Sequence, residues 1–155
     1  MAMKISLESV KDTVRDYLNS QGWRFDEDEK LFRYGMNIRC KLGSVNVRIL
    51  CNEGHFTCYT YAKINATPDV RTNAMKYLTY ANYGLKRGNF EMDQNDGEIR
   101  YKSFLGFGDS FPSADEVELA VDIGMIMFER YGDGLLSVIF AGEDPKTACE
   151  AAEHR

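Results

Sequence analysis

The chain has 155 residues, of which 24 are acidic and 19 are basic, so its formal net charge is −5. Hydrophobic residues make up 44% of it and charged residues 28%. This composition suits one folded domain and excludes wholesale disorder. The acidic total argues against non-specific binding to nucleic acid or to anionic lipid.

The termini and the cysteines predict a compartment. Met1–Leu7 contains no apolar run typical of a signal peptide, and no segment reaches the roughly 18–20 apolar residues of a membrane helix. We therefore expect a cytoplasmic protein without membrane contact. Reduced thiols are expected there, because the cytosol is reducing. No C-x-x-C pair occurs among Cys40, Cys51, Cys58 and Cys149.

The first predicted element is an amphipathic helix. Apolar residues recur at three- and four-residue steps over residues 6–20, with Ser6 placed to cap the helix and Gly22 to end it. Trp23–Asp28 is predicted to be extended and to lead into an acidic turn, Asp26–Lys30.

Three segments of alternating polarity follow and predict an antiparallel meander with one buried face. Its turns are predicted at Gly43-Ser44 and Glu53-Gly54. Both registers place the apolar residues on the same side, and a slip of one residue in either hairpin would break this agreement. The predicted pairs are Leu42 with Val45, Cys40 with Val47, Ile38 with Ile49, Cys51 with Phe56, and Ile49 with Cys58.

A second helix and a hairpin come next. Thr67-Pro68-Asp69 offers an N-cap, a proline and an acid, and predicts the start of a helix that Gly88 ends. Alternating strands around Phe90 and Ile99 are joined by Asp96-Gly97, a strong hairpin signal.

The last third of the chain predicts helices. Ser113 and Glu116 form a capping box before a helix that is apolar over most of its circumference. Such a helix must be covered on more than one side. Gly132-Asp133-Gly134 is predicted to break it. The predicted bounds are 114–131 for the long helix, Leu135–Ala141 for a short apolar helix, and Lys146–Glu153 for a last helix opened by Asp144-Pro145.

No constellation of residues points to catalysis. Cys51, His55 and Cys58 have a spacing that hints at metal binding, but a fourth ligand is missing and the cysteines have the inward parity of their strands. His154 is the only other histidine available to a Cys–His or Ser–His–Asp site. We therefore expect no catalytic residue, no metal site and no cofactor.

The long apolar helix is the first candidate binding surface. We expect its apolar side to contact a second copy of the chain or a client protein. The alternative is that the short helix folds back and covers that side. The predicted interface residues are Val121, Ile123, Met125, Ile126 and Phe128.

The solvent face of the meander is the second candidate surface. Basic residues alternate there with tyrosines, a combination that can hold phosphates and stack bases. The alternative is that long basic side chains simply cover an exposed sheet. The residues of this face are Arg33, Arg39, Lys41, Arg48, Tyr59, Tyr61 and Lys63, and the candidate ligand residues among them are Arg39, Arg48, Tyr59 and Tyr61.

The second helix and the hairpin that follows it carry a resemblance to the YbjN family of bacteria. The helix that contains Tyr80 is followed by a G-x-F-x-x-D segment, an Asp-Gly turn and a strand of basic and apolar residues, and Phe111-Pro-Ser precedes the long apolar helix. The G-x-F-x-x-D segment consists of Gly88, Phe90 and Asp93. The resemblance extends over roughly residues 6–142, and its motifs are structural.

The resemblance implies a fold like that of type III secretion chaperones, which are commonly homodimeric and bind proteins without catalysis. We expect an α+β domain in which helices pack on one face of an antiparallel sheet, in the order α-β-β-β-α-β-β-α with extra C-terminal helices. The single domain would comprise a core over about 6–142 and a helical tail over 143–155. The expected function is a non-enzymatic, homodimeric regulatory domain that binds a protein segment. Binding of an anion or a nucleic acid is the alternative.

Overall fold

The computed structural model describes residues 4–30, 33–40 and 42–154. The expectation for Lys41 lies outside these residues. The elements are α1 Leu7–Ser20, β1 Asp26–Asp28, β2 Arg33–Cys40, β3 Gly43–Asn52, β4 His55–Asn65, α2 Arg71–Tyr83, β5 Asn89–Met92, β6 Glu98–Gly106, α3 Ala114–Ala141 and α4 Pro145–Glu153.

The described strands form one sheet in the order β1-β2-β3-β4-β6-β5, and every neighbouring pair is antiparallel. Helices α1, α2 and α3 pack on one face, over a core to which every strand from β2 to β6 contributes. The predicted α+β class and the packing of helices on the sheet are confirmed. The three-residue strand β1 adds one edge strand to the predicted order.

The meander forms with one register as predicted and one shifted. Cys51 pairs with Phe56 and Ile49 with Cys58, which confirms the second hairpin. The first register is wrong, because Cys40 pairs with Gly43 and Ile49 pairs with Tyr34. The shift covers an even number of residues, so each side chain keeps its predicted face and the alternation of polarity cannot detect the error.

The first helix is capped as predicted. The Ser6 side chain accepts a hydrogen bond from the backbone N–H of Ser9. Val10, Val14 and Leu18 are fully buried, which gives α1 the apolar face that the sequence predicts.

Both predicted ends of the second helix are wrong. Thr67 bonds Asp69 in a turn at a distance of 2.5 Å, and the helix begins only at Arg71. At the other end the helix stops at Tyr83, with Gly84 as its C-cap. The hydrogen bonds of Thr67 thus form a turn that precedes the helix, and Thr67 does not cap the helix.

The predicted break in the third helix is absent, and α3 continues for 28 residues. Its glycines instead allow close packing. A Cβ at Gly132 would lie 2.9 Å from Cγ of Leu42, and one at Gly134 would lie 2.3 Å from Oη of Tyr77. Tertiary contact outweighs the weak helix propensity of glycine here. The predicted capping box of Ser113 and Glu116 is present.

The predicted tail joins the core. Gly142 ends α3 in a left-handed conformation, with a φ of 67°, and Asp144 caps α4. Ala148, Cys149 and Ala152 are buried against the neighbouring helices α2 and α3. Within residues 4–30, 33–40 and 42–154, no helix combines the length and apolar character needed to cross a bilayer.

Candidate protein-binding groove and outer face of the sheet

The predicted interface residues of α3 fall into two groups. Val121 and Phe128 have no exposed surface and belong to the core, so they cannot reach a partner in this conformation. Ile126 is 49% exposed, while Ile123 and Met125 are half-buried. The prediction of a helix interface therefore applies to the group around Ile123 and Ile126.

A groove runs beside Ile123, between α3, the end of β6 and the segment that joins α2 to β5. It consists of two adjoining cavities of about 300 and 390 Å³, which share Lys86, Arg87 and Ile123. We call it the α3–β6 groove. Its further lining residues are Gly84, Leu85, Gly88, Asn89, Tyr101, Lys102, Ser103, Phe104, Leu119, Ala120, Met127 and Arg130.

The floor of the groove is apolar and its rim is basic. Leu119, Ile123 and Met127 recur at four-residue steps along α3 and form an apolar stripe. Lys86 and Arg87 are exposed at the rim. None of the described lining residues carries a carboxylate. Nearby acids do exist, since Glu91 pairs with Lys102 and Glu116 interacts electrostatically with Arg87.

Gly88 determines where the groove meets the sheet. It has a φ of 77°, and a Cβ at this position would lie 2.2 Å from the carbonyl oxygen of Lys102. Only glycine fits this approach. Strand β5 starts at the next residue, Asn89, which pairs with Lys102. Among the described strands, the remaining part of β6, Ser103–Gly106, therefore pairs only with β4.

Hydrogen bonds to α3 and to the segment that joins α2 to β5 hold β6 in place beside the groove. The Ser103 hydroxyl, which is buried, donates a hydrogen bond to the carbonyl oxygen of Ala120 in α3. The Tyr101 hydroxyl donates one to the carbonyl oxygen of Arg87. Burial raises the pKa of Tyr101 to about 12, so this hydroxyl remains a donor at neutral pH.

The outer face of the sheet carries a second cluster, the outer-face ladder, formed by Arg48, Tyr59, Tyr61, Arg100 and Glu91. The Arg48 guanidinium lies 4.9 Å from the ring centroid of Tyr61, and that of Arg100 lies 4.3 Å from the ring centroid of Tyr59. Arg100 also bonds Glu91, at 2.7 Å. The cations therefore already stack on the tyrosines of the same molecule.

The other predicted residues of the outer face lie apart from the ladder. Arg39 is exposed near the end of β2, where it pairs with Ser44. Arg33 lies beside the acidic strand β1, 3.8 Å from the carboxylate of Asp28. Lys63 is exposed near the end of β4. The structure thus brings Arg48, Tyr59 and Tyr61 together but leaves Arg39 outside.

The thiols and His55 do not converge. Cys51 and Cys58 are buried on the inner face of the sheet, while the His55 ring lies 5.1 Å from the ring of Phe104. Burial raises the pKa of the Cys51 and Cys58 thiols to about 12 each. The described part of the chain contains no group of three or more His, Cys, Asp or Glu side chains arranged to hold a metal ion.

Sequence reasoning missed several residues of both surfaces. Arg100 and Glu91 enter the outer-face ladder because β6 pairs with β4, although α2 and β5 separate these strands along the chain. Lys86 and Arg87 were predicted as part of a helix, whereas they lie beyond its end at the groove. The pair of adjacent basic residues before Gly88 was the available signal.

Comparison with known proteins gives a family and a fold. The model of the YbjN family, described as "Putative bacterial sensory transduction regulator", matches residues 11–137. A crystal structure of YbjN from E. coli, described as a putative transcription regulator, is similar with a TM-score of 0.51 and 12% sequence identity, over 93% of this chain and 92% of that chain. A search of curated proteins finds no match. On the family match over most of its length, this chain belongs to the YbjN family.

Proposed function

We propose that the protein is a non-catalytic regulatory domain that binds a segment of another protein in the α3–β6 groove. The groove itself carries the proposal, because it combines an apolar floor with a basic rim at the surface of the folded chain. Sites for protein segments are concave and apolar at the centre with polar groups at the margin. The description of the family as a regulator supports the same class of function.

The chemistry of the titratable groups supports a role without catalysis. The buried thiols have raised pKa values, which disfavours the nucleophilic thiolate. Tyr101, at the groove, is held as a neutral hydrogen-bond donor. The groove thus offers shape, apolar surface and positive charge.

Binding of an anion or nucleic acid at the outer face is the competing function. Bases would need the tyrosine faces on which Arg48 and Arg100 already lie. A phosphate would have to compete with Glu91 for Arg100. These contacts favour the groove over the outer-face ladder as the binding surface.

A capture experiment tests the proposed function. The immobilised full-length protein is incubated with a nuclease-treated lysate of its native host, and bound proteins are identified by mass spectrometry. Ile126→Glu introduces a charge one helical turn from the lining residue Ile123. The Ile126 side chain is 49% exposed, so folding should be preserved. Phe140→Glu is the matched control, since Phe140 is 72% exposed at the far end of the same helix.

We expect a defined set of proteins that the wild type and Phe140→Glu retain and that Ile126→Glu loses. Retention that is equal for all three proteins would contradict the groove as the binding surface. In a parallel capture from lysate without nuclease treatment, retention of nucleic acid alone, with a steep dependence on salt, would instead favour the outer face.

A further inference from the structure

One stretch of sheet edge beside the groove has no neighbouring strand in the part of the chain that the structure describes. β5 covers β6 from Ile99 to Lys102, and β4 covers the other edge of β6 to Gly106. The uncovered edge at Ser103–Gly106 is about 14 Å long at ~3.4 Å per residue. Phe104, in its middle, is 62% exposed.

The direction of the backbone groups follows from the ladder. The Asp93 N–H donates to the carbonyl oxygen of Glu98, so Glu98 directs its backbone toward β5. In an antiparallel ladder, alternate residues direct N–H and C=O to the same side. Phe104 and Gly106 are therefore turned toward the uncovered edge. Among the described residues, none bonds the backbone of Phe104 on that side.

The side chains around this edge suit a strand. An added strand would place alternate side chains toward the α3 stripe, at Leu119 and Ile123, and the others toward Phe104 on the outer face. The exposed side chains of Lys86 and Arg87 place positive charge near one end of this edge. This arrangement matches an extended segment with apolar residues at every second position and acidic residues beside them.

We propose that an extended, acidic and apolar peptide segment of a partner protein pairs with β6 at Phe104 and Gly106 and continues the sheet beyond the start of β5. This inference rests on the proposed function and specifies how the segment binds. Such strand addition uses main-chain hydrogen bonds for affinity and alternate side chains for specificity. Gly88 contributes by turning the chain away from β6 at the point where the partner strand would begin.

The first test selects ligands without assuming a partner. A phage-displayed library of random peptides, each of about ten residues, is panned on the full-length wild-type protein. We expect selected peptides to alternate apolar residues and to be enriched in Asp and Glu. Absence of any binder, or a consensus that is basic or has helical spacing, overturns the proposal.

The second test examines backbone pairing with the tightest selected peptide. We expect its binding to protect the amides of Phe104 and Gly106 from hydrogen exchange. N-methylation at every second position of the peptide should abolish binding, and N-methylation at the positions between them should not. The reason is that only every second N–H faces β6. Unchanged exchange at Phe104, or equal effects of N-methylation at all positions, overturns the proposal.

Three protein variants complete the design. Phe104→Pro removes a donor that makes no bond within the sheet, and we expect affinity for the peptide to fall about tenfold or more. Phe104→Ala keeps that donor and is the control, with a smaller loss. Lys86→Glu combined with Arg87→Glu alters only exposed charges and should weaken binding by a similar factor, with a reduced dependence on salt. Unchanged affinity in this charge-reversed variant overturns the proposal even if Phe104→Pro fails to fold.

The two proposals fail in different ways. If Phe104→Pro folds and still captures the same host proteins as the wild type, strand addition is wrong and the proposed function stands. If the wild type captures no protein through the groove, the proposed function is wrong.

Discussion

Glu27 shows at the scale of single residues how an acidic turn takes part in the fold. Its carboxylate accepts a hydrogen bond from Arg15 at 2.5 Å and another from the Tyr34 hydroxyl at 3.0 Å. The bond from Arg15 is the main cause that lowers the pKa of Glu27. A carboxyl whose pKa is lower in the folded state stabilises the fold above its ordinary pKa, and this contribution disappears as the pH falls through the folded value.

We therefore expect Glu27→Gln to reduce the free energy of unfolding at neutral pH. The difference from wild type should shrink as the pH falls below about 4.3, the ordinary pKa of glutamate. Urea unfolding at several pH values measures it. A difference that stays constant down to about pH 3 would contradict a role for the charge of Glu27.

The pKa of Asp122 is shifted in the opposite direction from that of Glu27. Burial raises the pKa of its carboxyl, although Tyr17 donates a hydrogen bond to it at 2.7 Å. Ionisation of Asp122 therefore costs stability as the pH rises past the ordinary pKa of aspartate. We expect Asp122→Asn, which keeps an acceptor for Tyr17, to gain stability relative to wild type as the pH rises from about 3 to 7 in the same unfolding series. A growing loss would show that this reading is wrong.

The cysteines allow a test of burial. Burial raises the pKa of Cys149 to about 11 and the pKa values of Cys51 and Cys58 to about 12, whereas Cys40 is only half-buried. We expect a thiol reagent at neutral pH to label Cys40 first in the native protein. The other three should react at full rate only after unfolding. Peptide mapping by mass spectrometry identifies the labelled sites, and early labelling of Cys58 would contradict the fold.

At the scale of elements, α3 depends on close contacts at its glycines. The Tyr77 hydroxyl donates a 2.6 Å hydrogen bond to the carbonyl oxygen of Tyr131, directly where Gly134 passes. A larger side chain at Gly134 would push this hydroxyl from its acceptor. Packing against Tyr77 requires a small residue at position 134, and α3 continues through it. Glycine is a weak helix former, which is why the sequence alone predicted a break here.

We expect Gly134→Ala to destabilise the protein by about 1–3 kcal/mol, the usual cost of overpacking, despite the higher helix propensity of alanine. Gly84→Ala is the matched control, because no atom lies within 4 Å of its added Cβ and its φ is −95°. Thermal or urea unfolding measures both variants. Equal stability of the two would contradict the tight contact at Tyr77.

The sequence predicted correctly those features that depend on residues close together along the chain, and it missed those that depend on distant residues. Capping by Ser6 and Ser113 involves residues three apart, and the sequence predicted both correctly. The alternation of polarity predicted which face each strand residue occupies. It could not predict the register in which Cys40 pairs with Gly43, because a shift by an even number of residues leaves every side chain on the same face. The α3–β6 groove was not predictable, since it depends on where β5 stops beside β6.

At the scale of the whole molecule, the sheet carries helices on one face and leaves the other exposed. Its terminal edges are short, with three residues in acidic β1 and four in β5. Short, charged edge strands limit unwanted pairing with other chains. The uncovered part of β6, Ser103–Gly106, lies away from these terminal edges. It is flanked by the basic rim of the α3–β6 groove and by the apolar stripe on α3.

The homodimer that the family resemblance implies stays a prediction. We expect light scattering coupled to size-exclusion chromatography to give twice the mass of one chain at about 100 μM, with dissociation on dilution if the interface is weak. A mass equal to one chain at that concentration would contradict the dimer. The groove proposal would be unaffected, since its lining comes from a single chain.

Hydrogen–deuterium exchange of the full-length protein, with and without a purified captured partner, is the decisive test of binding in the α3–β6 groove. We expect protection at residues 84–88 and 103–106, together with the α3 segment around Ile123. We expect no change at the outer-face ladder. Protection confined to Arg48, Tyr59 and Tyr61, with residues 103–106 exchanging as in the free protein, would contradict binding in the groove.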